Sequence, residues 1–142
     1  AIATDHAPHT PAEKARGCLE APKGIVGLET ALALCLDRLV HTGVLSLPEL
    51  IRKMSTNPAR IIGLPCPGIV PGAPADLTVI DLNYRWRVDA GRFASKGRNS
   101  PFHGWELRGK PVLTMVGGRI VYHEPNYWPE ALLTVARTAR EG

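Results

Sequence analysis

The chain opens on a short apolar run, Ala1-Ile2-Ala3-Thr4, that reads as a buried strand. From Asp5 to Gly24 proline, glycine and charge dominate and predict a long loop, and loops of such length in compact domains commonly carry function. Ile25, Leu28, Leu32, Cys35, Leu36 and Leu39 then fall at helical spacing, predicting an amphipathic helix that ends near Thr42-Gly43 with the glycine as its cap. Ser46-Leu47-Pro48-Glu49 has the form of a capping box, in which serine and glutamate satisfy each other's free backbone donors, so a second helix is expected to about Met54. Asn57-Pro58 opens a third, short helix that Gly63 closes.

Beyond Pro65 the period changes from helical to alternating. Ile69-Val70, Leu77-Thr78-Val79-Ile80 and Tyr84-Arg85-Trp86-Arg87-Val88 read as short strands separated by turn residues. Val112 to Val116 and Ile120 to Tyr122 flank Gly117-Gly118, a two-residue hairpin signal, and together these runs predict a small antiparallel sheet. A second long polar loop runs from Ala94 to Trp105, and a terminal helix is expected from Trp128 to Arg140. The chain thus divides into strand, loop and helices over 1–65, a sheet over 66–124 and a tail over 125–142, with the boundary near Pro65-Cys66-Pro67-Gly68. A lone strand would leave both edges unpaired. Together with an alanine as first residue, inside an element, this makes the chain read as a piece of something longer.

Composition changes this picture little. With 44% hydrophobic and 21% charged residues over 142 positions, the chain suits one ordinary soluble domain with a real core. The net charge of +4 is scattered, densest at Arg85, Arg87, Arg92, Lys96 and Arg98, which reads as a solvated face in preference to a nucleic-acid groove. Cys18, Cys35 and Cys66 are odd in number and widely spaced, suggesting neither a disulfide framework nor a zinc knuckle. No apolar run is long enough to span a bilayer, and no targeting segment is evident, so a cytoplasmic location is expected.

Candidate chemistry concentrates in Asp5-His6-Ala7-Pro8-His9. A carboxylate at the end of an apolar strand can bind a cation and take a proton from a water that the cation has acidified. It can equally cap the following turn, and the residues alone leave both roles open. His6 and His9, three apart around Pro8, need not face the same way. With only Asp5 beside them they do not complete a four-ligand metal site, whereas a histidine can donate to an anionic substrate. Gly24 lets backbone approach a ligand closely, or simply turns the chain. His41, His103 and His123 lack ligand spacing and read as surface histidines.

Ile2-Ala3-Thr4-Asp5-His6-Ala7-Pro8-His9-Thr10, followed by Glu13-Lys14 and by Gly24-Ile25-Val26-Gly27-Leu28-Glu29-Thr30, resembles the last barrel strand and following loop of class I dihydroorotases. Ser55-Thr56-Asn57-Pro58-Ala59-Arg60-Ile61-Ile62-Gly63-Leu64 resembles their closing helix. Pro71-Gly72-Ala73-Pro74-Ala75-Asp76-Leu77 is similar to a strand start that amidohydrolases carry in their small β-sandwich. Ser95-Lys96-Gly97-Arg98-Asn99-Ser100-Pro101-Phe102, with Gly104-Trp105, is similar to the dihydroorotase form of the loop there. The resemblance covers residues 1–124 in order and leaves the tail unmatched; it also departs at Lys23, where the family usually has phenylalanine.

The resemblance implies an α/β fold: the last strand and helices of a (β/α)8 TIM-type barrel plus part of a small β-sandwich. It implies reversible conversion between L-dihydroorotate and N-carbamoyl-L-aspartate in de novo pyrimidine biosynthesis. Asp5 corresponds to the metal-bound catalytic aspartate that shuttles the proton, His9 to a histidine binding the substrate carboxylate, and Lys23 and Gly24 to a backbone pair contacting the ring. The implied cofactor is Zn2+, binuclear in the intact enzyme, with the other ligands (a His-x-His pair, a carboxylated lysine and further histidines) in a preceding N-terminal portion. The expected partners are the small-molecule substrate, further copies of the chain and aspartate carbamoyltransferase, with no nucleic acid and no membrane. Two alternatives stay open: a non-catalytic dihydroorotase-like scaffold for aspartate carbamoyltransferase, and another cyclic amidohydrolase of the hydantoinase or dihydropyrimidinase type.

Overall fold

The structure is a computed structural model that describes residues 1–129; the terminal helix expected from Trp128 to Arg140 therefore falls almost wholly outside the described residues. Four short α-helices precede a three-stranded antiparallel sheet of order β1-β2-β3. Helix α1 is Pro11–Lys14, α2 Leu28–Cys35, α3 Leu47–Ile51 and α4 Asn57–Ile61, and the strands are β1 Leu77–Arg87, β2 Glu106–Val116 and β3 Arg119–His123.

Residues 1–4 form no strand. Among the described residues they have no ladder partner, and the one bridge in this region is parallel, between His6 and Ile25. Inside the expected loop, Thr10 and Glu13 form a full capping box that starts α1 with Pro11 in its first turn. Helix α2 begins at Leu28, later than its apolar spacing suggests, because Ile25 and Val26 are taken up in backbone bonds to Ala7 and Asn99. It runs on through a π-turn at Leu36–Val40 to a left-handed Gly43.

The second and third helices are one continuous run. The capping box at Ser46 and Glu49 starts α3, and a π-turn at Arg52–Thr56 leads directly into α4, so Asn57 lies within the helix and does not cap it. Pro58 supplies the reason: it has no N–H for the usual bond four residues back, and the wider turn, with Asn57 N donating to Arg52 O, absorbs the defect. Gly63, at φ +70°, closes the run as expected.

The two strands expected at 77–80 and 84–88 are one strand with a bulge. There the Asp81 carboxylate accepts from the amides of Asn83 and Tyr84, which holds the extra residues without ending the pairing. A second register shift puts Pro111 of β2 at an irregularity, where a strand tolerates a missing donor. The hairpin forms as expected, with Gly117 and Gly118 both at positive φ, as the tight primed turn requires. Ile69-Val70 makes no strand, and both residues are exposed.

Helix α2 packs on β2, and the core comprises Val26, Ala33, Val88, Ala90, Phe93 and Leu107. The buried side of this helical run carries Thr30 and Ala33 of α2 and Leu36 of the π-turn that follows, while Leu28 is 63% exposed. Small side chains let the helix approach the sheet closely: a Cβ on Gly109 of β2 would lie 2.7 Å from Leu36 Cδ1. Leu28 and Leu32 instead line a cleft of about 670 Å³ between helix and sheet, which has Trp86, Phe93 and Thr114 on its other walls.

Candidate functional site

Asp5 stands in the left-handed region at φ +43°, one of two described non-glycine residues there. Aspartate tolerates that conformation better than most residues, yet it costs on the order of 1–3 kcal/mol and persists only where the surroundings enforce it. They do so on both sides. Ile2 N donates to Lys53 O at 2.8 Å, and Ala7 N donates to Ile25 O at 2.9 Å. Gly27 lies so close that a Cβ on it would sit 2.9 Å from Thr4 O. The Asp5 side chain is exposed, and among the described residues its carboxylate has no hydrogen-bond or ion-pair partner.

His6 faces α2. Its Nδ1 accepts from Gly27 N at 3.2 Å and from Leu28 N at 3.4 Å, capping a helix whose N-terminal glycine offers no side chain for the task. The proton of neutral His6 therefore sits on Nε2.

His9 turns toward Lys23. Its Nε2 lies 3.0 Å from Lys23 O, and since a carbonyl only accepts, this nitrogen carries the proton. Its Nδ1 is 4.0 Å from Glu13 Oε2. Hydrogen bonds from the Thr10 backbone and hydroxyl, and more weakly the charge of His9, hold the Glu13 carboxyl below the usual range. Gly24, at φ +123°, is wedged against the same loop: a Cβ there would lie 2.4 Å from Ala7 Cβ and 3.3 Å from His9 Nε2. Three of the four candidate residues, His9, Lys23 and Gly24, are thus in one place, with Lys14 Nζ donating to Pro22 O at 2.7 Å beside them.

The residue that joins this cluster together is Asn99, which residue-by-residue reading passes over. Its Oδ1 accepts from His9 N at 2.9 Å, and its Nδ2 donates to Ala7 O at 3.3 Å and Gly24 O at 3.2 Å. Its backbone oxygen accepts from Val26 N at 3.1 Å. The loop that carries it is itself anchored, because Glu29 of α2 accepts from Ala94 N and Ser95 N, each at 3.0 Å. The available signal is its place in Ser95-Lys96-Gly97-Arg98-Asn99-Ser100-Pro101-Phe102.

The donor set for a metal is incomplete. Among the described residues no cluster of three or more histidine, cysteine or carboxylate side chains could hold an ion. His6 Nδ1 and His9 Nε2 are engaged with backbone, which leaves the unpartnered Asp5 carboxylate as a fitting single ligand. Of the other histidines, read from sequence as surface groups, His103 is exposed as expected, while His41 and His123 are half-buried. His41 Nε2 donates to Leu82 O at 2.9 Å, and His103 Nδ1 accepts from Ala90 N at 3.1 Å. Nδ1 of His123 is buried without a partner among the described residues. The five densest cations, Arg85, Arg87, Arg92, Lys96 and Arg98, are all exposed.

Away from this loop, Glu124 is the most buried carboxylate among the described residues, at 8% exposure. It accepts from Lys110 Nζ at 2.5 Å, Tyr122 OH at 2.5 Å and Tyr84 OH at 3.2 Å. Burial raises its pKa, but the ammonium and the two hydroxyls outweigh that and hold it below the usual range; burial and the same carboxylate push Tyr122 up.

Known proteins resemble this chain over most of its length. It is 56% identical to a dihydroorotase of Geobacter metallireducens over 122 residues, 86% of this chain and 28% of that protein. It is 51% identical to a dihydroorotase of Bacillus caldolyticus over 123 residues, 87% of this chain and 29% of that one. Among solved structures, an L-hydantoinase (dihydropyrimidinase) from Arthrobacter aurescens superposes with a TM-score of 0.69 at 38% identity, covering 78% of this chain and 25% of that one. The chain spans less than a third of the length of these relatives. With residues 1–121 matching the model of the amidohydrolase family, the chain belongs to that family.

Proposed function

We propose that this chain is the C-terminal portion of a dihydroorotase, which interconverts L-dihydroorotate and N-carbamoyl-L-aspartate in pyrimidine biosynthesis. The observation that carries the proposal is the 56% identity to a protein of that name over 86% of the chain, against 38% to the hydantoinase. The geometry supports it: His9, Lys23 and Gly24, implied to bind substrate, lie in mutual contact although 14 residues separate the histidine from the lysine.

In the proposed hydrolysis the ring amide C–N bond breaks, water's hydroxyl joins the carbonyl carbon, and the freed nitrogen takes a proton. The Asp5 carboxylate, without a partner among the described residues, takes that proton from the attacking water and delivers it to the nitrogen. His9 donates to the substrate carboxylate through Nε2, which requires the substrate oxygen to replace Lys23 O as acceptor. The backbone of Lys23 and Gly24 lines the ring, which makes the identity of the Lys23 side chain unimportant for contact. Zn2+, held by Asp5 and by ligands outside this chain, would supply a Lewis acid and a water of lowered pKa.

The proposal extends to the architecture: residues 1–65 as the end of a (β/α)8 barrel, 66–124 as a β-sandwich segment, and 125–142 as a tail. It also includes a cytoplasmic homo-oligomer, with aspartate carbamoyltransferase as the partner to test. No described helix is long and apolar enough to cross a membrane. The deciding experiment compares turnover of dihydroorotate, dihydrouracil and hydantoin by the full-length gene product loaded with Zn2+. Turnover of dihydroorotate above the other two is expected. Preference for either of the others assigns a different cyclic amidohydrolase, and no turnover of any favours the scaffold.

A further inference from the structure

We infer that Asn99 is a positioning residue for substrate binding, acting through His9 and the Lys23-Gly24 backbone, and this rests on the dihydroorotase reading. One carboxamide bridges three points of two chain segments: it accepts from His9 N, and it donates to Ala7 O and Gly24 O. Only a primary amide supplies an acceptor and two donors in that arrangement. The bridged segments are the ones whose spacing fixes the His9 ring against Lys23 O.

The loop bearing Asn99 is shaped for this contact. A Cβ on Gly97 would lie 2.6 Å from Pro8 Cβ and 3.0 Å from Asn99 Oδ1, so the strap lies flat on the Pro8 turn only because residue 97 has no side chain. Glu29 fixes the other end of the strap to α2 through two amides, and His6 caps that same helix. The His9 loop, the Gly24 loop and the α2 start are therefore held in register by groups that touch no substrate. Asn99 lies 90 residues from His9 in sequence, so the sheet half of the chain sets the geometry of the loop half.

The test is a double-mutant cycle in the full-length gene product, reading KM and kcat for dihydroorotate together with Tm. His9→Ala, Asn99→Ala and the double variant form the cycle. Asn99→Asp is the second probe, since it retains the acceptor for His9 N and loses both donors. Each single variant is expected to raise KM by about tenfold or more while kcat changes much less, as loss of uniform binding does. The double variant is expected to raise KM by clearly less than the product of the two single effects, because part of the Asn99 effect runs through His9. Asn99→Asp should raise KM in the same direction, which keeps the inference testable if Asn99→Ala does not fold. Additive effects on KM overturn the inference, as does a lowered Tm with unchanged KM in either Asn99 variant. A His9→Ala variant with unchanged KM sinks the assignment of His9 itself, and the inference with it. A raised KM in His9→Ala beside unchanged KM in both Asn99 variants sinks the inference alone.

Discussion

Replacing Gly24 with alanine probes the contact on which the proposed substrate-binding cluster depends. The added Cβ would sit 2.4 Å from Ala7 Cβ, where carbon atoms normally approach to about 3.5–4.0 Å, so the two loops must separate by roughly 1 Å. At φ +123° an alanine is also strained by on the order of 1–3 kcal/mol, and overpacking adds a further 1–3 kcal/mol or so. Separation lengthens the Asn99 Nδ2 bond to Gly24 O from 3.2 Å and the Ala7 N bond to Ile25 O from 2.9 Å, and so loosens His9. A misplacement of about 1 Å costs on the order of 100-fold in rate, so kcat/KM for dihydroorotate should fall by about that factor in protein still folded at the assay temperature. Steady-state assays and thermal melts on the full-length product measure both effects. Wild-type kcat/KM together with wild-type Tm in Gly24→Ala would refute the reasoning.

Two further outcomes concern stability. Leu36→Ala should destabilise by about 2–5 kcal/mol, since Leu36 is wholly buried against Gly109, and chemical denaturation showing no loss would contradict the packing of the π-turn after α2 on β2. Glu124→Gln leaves the half-buried Lys110 ammonium beside a neutral group, at a cost below the roughly 3–5 kcal/mol of breaking a fully buried pair at neutral pH. Because the native Glu124 pKa is depressed, its contribution is complete above the ordinary glutamate value of about 4.3 and is lost as pH falls through the native value. The difference in denaturation free energy between wild type and Glu124→Gln should therefore shrink on acidification, and a difference that grows would reverse the assigned sign.

Much of the fold was legible wherever one short segment carries its own reason. The Gly117-Gly118 hairpin, the Ser46 capping box and the closures at Gly43 and Gly63 depend on nearest neighbours, and all form as read. The Thr10 capping box carries the same signal inside a stretch that reads as loop because of its prolines. Elements went astray where distant partners decide. Residues 1–4 have strand composition without a ladder partner, and Asp81 turns an apparent break into a bulge because β2 pairs on both sides of it. Pro58, readable as a helix start, lies inside a continuous helical run because the π-turn before it absorbs its missing N–H.

The candidate cluster was legible only through resemblance. D-H-x-x-H alone does not tell a turn cap from a catalytic carboxylate, and nothing local says that His9 meets Lys23. Asn99 was not legible at all in that sense, because each of its side-chain bonds reaches 75 to 92 residues away. The strained φ of Asp5 is likewise set by anchors at Ile2 and Ala7 whose partners, Lys53 and Ile25, are remote in sequence.

The central claim is that Asp5 is the proton-carrying carboxylate of a dihydroorotase, and kcat for dihydroorotate in Asp5→Asn of the full-length gene product tests it most directly. Asparagine also tolerates the left-handed region, so the variant should fold with little change in Tm. A fall in kcat of about 100- to 10,000-fold is predicted. Turnover within about threefold of wild type in the folded variant would contradict the account, since general acid–base catalysis is worth far more than that.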